Sequence, residues 1–252
     1  MPDSKTEIFS SDRNGNWDIF KQPIDQPSAE PLVTGPDDEL AKGVTPDGLW
    51  LLYTAQKQGD ASAPRKLMRV PLSGGSPEFL LDPGVNLLDI VCANRAPSIL
   101  CVVAKRDQKG MVFSVFDLST RQSRDLAKVE NAADWDSFPD GSRIAVLIKD
   151  QGKSRIRIVR SSGETEREFI LDRPRIENIR CSPDGRGLYL SAAPQSGVTT
   201  LYYTDLQGHA RVLWQQKGRR GGFSAIWPSP DGRYLAMVGT TTTSDAWLME
   251  DF

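Results

Sequence analysis

Ser182-Pro183-Asp184-Gly185 stands one residue before the apolar run Gly187-Leu188-Tyr189-Leu190, and the chain uses this phrase repeatedly. Further copies start at Thr45, Phe138 and Ser229, and a degenerate copy starts at Pro2. Proline pre-sets the first corner of a type I turn, aspartate suits the second, and glycine takes the left-handed residue that closes a bulged hairpin. Each copy therefore predicts a reversal between two strands. The turn also explains its aspartate without a metal site.

A second phrase, an apolar strand, recurs at a steady distance from the first. Its six copies start at Ile19, Leu67, Phe113, Ile156, Leu201 and Trp247. The starts lie 43 to 48 residues apart, a period typical of propeller blades. We therefore divide a single domain, residues 1–252, into six units. Their approximate bounds are 1–38, 39–84, 85–131, 132–174, 175–222 and 223–252.

The strand after each turn is apolar on both faces, as residues 99–103 illustrate (Ile-Leu-Cys-Val-Val). Both of its faces must be covered, which suits blades stacked around an axis. The sequence thus predicts an all-β, six-bladed β-propeller of four-stranded antiparallel blades, with no helix. The first and last blades are expected to be incomplete, because a strand is missing before Pro2 and another after Phe252. We expect residues outside this sequence to supply one innermost strand, or both end blades to have three strands.

Composition excludes some functions. Thirty-one basic and thirty-three acidic residues give a net charge of -2, which provides no global field for binding nucleic acid or a membrane surface. The first residues lack the apolar stretch of an export signal, and no segment is apolar for long enough to cross a bilayer. The cellular location stays open, with a periplasmic placement if the chain is part of an exported or membrane-anchored protein.

Catalytic, metal and redox chemistry have few candidate residues. The one histidine, His209, is expected in a solvated turn, and no Gly-x-Ser-x-Gly elbow accompanies it. Three cysteines and one histidine lack metal-ligand spacing, so we predict no catalytic residue, metal or cofactor. Cys92 and Cys101 flank a predicted reversal, which allows a cross-strand disulfide in an oxidising compartment. Buried, reduced thiols are the favoured expectation for this pair.

Two carboxylate clusters stand out. Asp134 and Asp136 alternate on a predicted first strand and so share a face. If that face lines the central channel, the pair could bind a cation or a basic group. The cluster Asp37-Asp38-Glu39 is expected in a solvated loop between units.

Four arginines form the other candidate binding surface. Arg173, Arg175, Arg219 and Arg220 lie in two loops that each connect a fourth strand to the next first strand. Propeller geometry places such loops side by side on one rim. This rim patch could receive an acidic peptide or a phosphorylated segment through bidentate guanidinium pairing.

The stretch Phe9-Ser10-Ser11-Asp12-Arg13-Asn14-Gly15-Asn16-Trp17-Asp18-Ile19-Phe20 resembles the signature of TolB-type propellers, whose WD-like repeats carry the Ser-Pro-Asp-Gly turn. The resemblance implies one of three settings: periplasmic interaction proteins, sensor-like C-terminal domains of bacterial winged-helix regulators or kinases, and gating domains of prolyl-oligopeptidase-like peptidases. The final Trp247-Leu248-Met249-Glu250-Asp251-Phe252 resembles the regulator-associated kind.

The sequence therefore predicts a non-catalytic module for protein interaction or ligand sensing, part of a larger bacterial regulatory or envelope protein. A protein or peptide partner is expected, and a small-molecule ligand stays open. The alternative is an accessory or gating propeller of a serine peptidase, or a propeller lyase.

Overall fold

The computed structural model describes residues 3–81, 86–93, 100–171, 175–195, 198–217 and 223–239, all in strands, turns and loops. The strands are β1 Thr6–Ser11, β2 Asp18–Pro23, β3 Glu30–Val33, β4 Asp37–Val44, β5 Trp50–Lys57, β6 Lys66–Pro71, β7 Glu78–Leu81, β8 Leu87–Cys92, β9 Leu100–Asp107, β10 Gly110–Asp117, β11 Ser123–Glu130, β12 Ala132–Ser137, β13 Arg143–Asp150, β14 Lys153–Arg160, β15 Thr165–Leu171, β16 Ile176–Cys181, β17 Gly187–Gln195, β18 Val198–Asp205, β19 Ala210–Lys217, β20 Phe223–Pro228 and β21 Leu235–Gly239.

The strands pair in chain order, which confirms an all-β propeller with four-stranded antiparallel blades. Four sheets are complete: β4–β7, β8–β11, β12–β15 and β16–β19. Strands β1–β3 form a three-stranded first blade, so the described residues make five blades and not the predicted six. Strands β20 and β21 add a two-stranded hairpin, and the predicted strand that would follow it, residues 247–252, lies outside the described residues.

The turns form as their residue types predict. The turn glycines Gly48, Gly141, Gly185 and Gly232 have φ between 68° and 74°, the left-handed region. Ser4 takes that conformation in the degenerate copy that starts at Pro2, with φ of 53°. Asp184 accepts hydrogen bonds from Ser182 Oγ at 2.6 Å and from the Arg186 N–H at 3.0 Å. Its carboxylate is therefore held within the turn, as predicted.

The core lies between neighbouring blades. In β13, the five residues from Ile144 to Ile148 are all 2% exposed or less, so both faces of this strand are buried. Separate apolar clusters fill the spaces between the first and second, second and third, third and fourth, and fourth and fifth blades. The first strand of each complete blade lies next to the first strand of the strand pair or blade that follows. These first strands therefore surround a common axis.

Strands β8 and β9 correct one expectation. Cys92 lies directly opposite Cys101 in their register, with Cα atoms 4.0 Å apart, and the two form a disulfide. The favoured expectation of reduced thiols at this pair was therefore wrong, because the strand register brings the side chains together. Cys181 is a free, buried thiol. The described part of the chain contains no helix that is long and apolar enough to span a membrane.

Candidate functional site

A cavity of about 170 Å³ lies where the first strands of the blades converge. Its walls come from β4, β8, β12, β16 and β20, so successive blades each contribute to it. Its charged lining residues are Lys42, Asp89, Asp136 and Arg180. We call this space the axial cavity.

Asp134 stands beside the axial cavity and is already paired. Its Oδ2 atom lies 3.0 Å from Arg180 Nη1 and accepts a hydrogen bond from the Ile179 N–H at 2.9 Å. Burial raises the pKa of Asp134, while the Arg180 guanidinium opposes that rise. A basic group from the protein itself therefore occupies the Asp134 side of the predicted pair.

Asp136 lines the axial cavity, and its hydrogen-bond partners within the described residues are backbone N–H groups. Its Oδ2 accepts a hydrogen bond from the Cys181 N–H at 2.8 Å, and its Oδ1 accepts one from the Ser137 N–H at 2.9 Å. No basic side chain of the described residues comes within 4.0 Å of this carboxylate. Burial raises the pKa of Asp136 to about 6, with the charge of Arg180 opposing the rise. The prediction that Asp134 and Asp136 share a face is confirmed, because they contact alternate residues of the next strand.

Sequence reasoning missed Arg180, although the repeat contained a signal for it. Arg180 stands two residues before Ser182, as Asp136 stands two residues before Phe138, so the repeat places them at equivalent positions of neighbouring first strands. Its Cζ atom lies 5.8 Å from the ring centroid of Trp227, which occupies the same position on β20. Asp136, Arg180 and Trp227 thus occupy equivalent positions on β12, β16 and β20, so an acid, a base and an aromatic ring succeed one another around the axis.

Lys42 and Asp89 form the remaining charged part of the axial cavity. Lys42 Nζ lies 3.6 Å from Asp89 Oδ1 and donates to the Leu88 carbonyl oxygen at 3.2 Å. The Asp89 side chain is 37% exposed, so water screens this pair. The Lys42 side chain is only 14% exposed, so the lysine lies mostly buried beside the cavity, with one hydrogen bond and a long ion pair as its polar contacts.

The acidic cluster at the junction of the first two blades differs from the prediction. Asp37, Asp38 and Glu39 belong to β4 rather than to a solvated loop, and Glu39 is only 5% exposed. The loop between β1 and β2 folds over this strand, where the Asn16 amide donates to the carbonyl oxygens of Gly35 and Asp37. Burial raises the pKa of Glu39 to about 7, and the nearby carboxylates of Asp18, Asp37 and Asp38 add to the rise.

A second cavity, of about 280 Å³, lies between the third and fourth blades. Its two arginines are already bonded: Arg124 donates to the Ser161 carbonyl oxygen at 2.9 Å, and Arg143 pairs with Glu166 at 3.3 Å. It therefore offers a ligand fewer free charged groups than the axial cavity does, although it is larger.

The other predicted residues lie apart from the axial cavity or outside the described residues. Arg175 is exposed, with φ of 54°, while Arg173, Arg219 and Arg220 fall outside the described ranges, so the rim patch stays a prediction. The side chain of His209 is 82% exposed in the turn between β18 and β19, where its Nδ1 lies 2.9 Å from Asp205 Oδ2. Within the described ranges, no group of three or more acidic, cysteine or histidine side chains could hold a metal ion.

No family model matches the chain, and no curated protein matches it. Solved structures do resemble it. TolB from Acinetobacter baumannii is 16% identical, with a TM-score of 0.67 over 86% of this chain and 53% of that one. A putative TolB from Agrobacterium tumefaciens is 18% identical, with a TM-score of 0.66 over 94% and 87%. An oligogalacturonate lyase in complex with manganese is 16% identical, with a TM-score of 0.61 over 92% and 66%.

These similarities show a TolB-like β-propeller fold. The chain spans about half the length of the Acinetobacter TolB structure and about two thirds of the lyase structure. Structures that share this fold include a TolB protein and an enzyme, so function has to be argued from the residues of the site.

Proposed function

We propose that this propeller is a non-catalytic recognition module that binds a ligand, or a peptide of a partner protein, in the axial cavity. One observation carries the proposal: charged side chains from four successive first strands converge on a single concave space. Preformed concave sites with a few convergent polar groups are where proteins commonly bind ligands. Rigid inner strands, rather than loops, hold these groups in place.

The reactive side chains support a non-catalytic role. His209 is bonded to Asp205 in an exposed outer turn and does not line the axial cavity. Cys181 does line it, but burial raises the pKa of this thiol well above its usual range. The thiolate is the nucleophilic form, so a buried thiol of this kind is inert.

The hairpin β20–β21 supports a ring of six blades. Its turn residue Asp231 donates its backbone N–H to Ser4 Oγ at 3.2 Å, which connects the hairpin to the first blade. We take the hairpin as the start of a sixth blade, which residues 247–252 would extend. The whole module would belong to a larger bacterial regulatory or envelope protein, such as a winged-helix regulator or a kinase, with a protein partner.

Calorimetry with capped tripeptides tests the proposed site. The probes are acetyl-Ala-Lys-Ala-amide, acetyl-Ala-Glu-Ala-amide and acetyl-Ala-Ala-Ala-amide. We expect the lysine tripeptide to bind, because its ammonium group can pair with Asp136, and Asp136→Asn to weaken it by roughly tenfold or more, because hydrogen bonds to charged groups are worth about 1.5–3 kcal/mol. Asp125→Asn, at an exposed position on β11, is the matched control.

Two outcomes would contradict the proposal. The first is that no tripeptide binds, or that binding is the same in Asp136→Asn. The second is turnover: cleavage of oligogalacturonate in the presence of Mn²⁺, or of a fluorogenic peptide, would favour the lyase or peptidase alternative. The rim patch has its own test, since Arg219→Glu with Arg220→Glu should weaken binding of a glutamate-rich peptide.

A further inference from the structure

Resting on the proposed function, we infer that the axial cavity takes a zwitterionic ligand, a free α-amino acid, with its ammonium group on Asp136 and its carboxylate between Arg180 and Lys42. The charged residues of the cavity wall are two acids and two bases, Asp89, Asp136, Lys42 and Arg180. Their charges cancel. A zwitterion brings both signs and preserves this balance, whereas a singly charged ligand would add a net charge to the cavity.

Asp136 supplies the acceptor for the ammonium group. A carboxylate offers about four lone-pair positions, and the N–H groups of Ser137 and Cys181 take two of them. No basic side chain of the described residues pairs with this carboxylate, so its remaining positions are open to a ligand. An ammonium group carries three donors and can use them.

Arg180 and Lys42 supply the donors for the carboxylate. A guanidinium has five N–H donors, and the bonds from Arg180 to Asp134 and to the Ile179 carbonyl both use Nη1. Its Nε and Nη2 donors therefore make no hydrogen bond within the described part of the chain. Lys42 makes one hydrogen bond and a 3.6 Å ion pair, so it can turn toward a closer anion.

The size and the remaining walls of the axial cavity fit a small ligand. Its volume of about 170 Å³ is below the ~300 Å³ at which sites for drug-sized molecules begin. Val91 and Trp227 provide an apolar wall, and Trp227 is 47% exposed. An amino acid with an apolar side chain can therefore place that side chain on this wall while its charged groups meet the polar side.

Calorimetry of the full chain with L-leucine and its two half-molecules tests this inference. The amine 3-methylbutylamine lacks the carboxylate, and 4-methylpentanoate lacks the ammonium group. We expect leucine to bind roughly tenfold or more tighter than either half-molecule, because each half leaves one charged end of the site unpaired. Asp136→Asn should weaken leucine binding roughly tenfold or more, while Asp125→Asn should leave it unchanged.

The comparison of ligands on the unaltered protein does not depend on any variant folding. Equal binding of leucine and the amine would indicate a simple cation site and overturn the inference, as would equal binding of leucine and the acid. If no free amino acid of a panel of leucine, glutamine, glutamate and lysine binds, the inference is also overturned. If a capped tripeptide still binds through Asp136, the proposed recognition function stands even though the amino-acid inference fails.

Discussion

The Asp134 carboxylate accepts a hydrogen bond from the Ile179 N–H at 2.9 Å across the boundary between two blades. A first strand has one free edge, and its N–H groups need partners because unpaired buried donors are costly. Asp136 accepts a hydrogen bond from the Cys181 N–H in the same way. At the boundary between the first and second blades, Ser10 Oγ accepts a hydrogen bond from the Ala41 N–H at 2.9 Å. Polar side chains of one blade therefore connect it to the next.

Replacing Asp134 should destabilise the protein. Asp134→Asn removes the charge that pairs with Arg180, whose side chain is only 15% exposed, and weakens the bond to the Ile179 N–H. We expect a loss of about 2–3 kcal/mol in the free energy of unfolding, because a mostly buried charge loses its partner. Urea unfolding measures it. Asp125→Asn should change the value by less than about 0.5 kcal/mol, and an equally small effect for Asp134→Asn would contradict the prediction.

Glu39 should make stability depend on pH. Its pKa is raised from 4.5 to about 7 in the folded protein, so the folded state holds this proton more tightly than the unfolded state. The contribution of Glu39 to the free energy of unfolding is full below pH 4.5, falls as the pH rises toward 7, and no longer changes above pH 7. The slope for one proton is at most about 1.4 kcal/mol per pH unit. Urea unfolding between pH 5 and 8 measures it.

The variant Glu39→Gln isolates this contribution. Glutamine resembles the protonated acid, so the variant should lose this part of the slope and be more stable than the natural chain at pH 8. Asp136 also has a raised pKa, about 6, and contributes a slope of the same sign to both proteins. Glu130→Gln, at an exposed position on β11, is the control. Parallel curves for Glu39→Gln and the natural chain would show that Glu39 does not titrate in this range.

Much of the fold could be predicted because local chemistry repeats. Proline, aspartate and glycine specify each turn by themselves, so Gly185 takes φ of 71° as its position requires. The described residues form five blades rather than the predicted six, and the predicted strand at residues 247–252 lies outside them. That Asp134 and Asp136 share a face was predicted from their alternation, a property of any β-strand, whereas the strand's place beside the axial cavity was only a condition of that prediction.

The partners of these residues could not be predicted in the same way. Whether Asp134 meets Arg180 depends on the distance between two blades, which no local pattern contains. Glu39 is buried because the loop around Asn16 folds over β4, a contact between residues more than twenty positions apart. Burial and ion pairing across blades are products of packing, so sequence patterns identified the strand but not its electrostatics.

The Cys92–Cys101 disulfide should stabilise the folded chain. It closes a loop with a sequence separation of 9 residues, for which the loss of unfolded-state entropy corresponds to about 2–3 kcal/mol. Reduction should therefore lower the melting temperature of the natural chain. The double variant Cys92→Ser with Cys101→Ser should melt lower and be insensitive to reductant. Two reactive thiols at this pair in the oxidised, denatured protein would show that the disulfide does not form.

Two glycines offer a matched test of the strand packing. A Cβ atom at Gly110, the first residue of β10, would collide with backbone atoms of Val129 and Glu130 on the paired strand β11. Backbone cannot move aside cheaply, so Gly110→Ala should cost about 1–3 kcal/mol of unfolding free energy. At Gly43 on β4 no atom lies within 4 Å of such a Cβ. Gly43→Ala should be neutral or stabilise by up to about 1 kcal/mol, because alanine restricts the unfolded chain. Urea unfolding of both variants measures the difference, and equal stabilities would mean that β10 and β11 do not pair in this register.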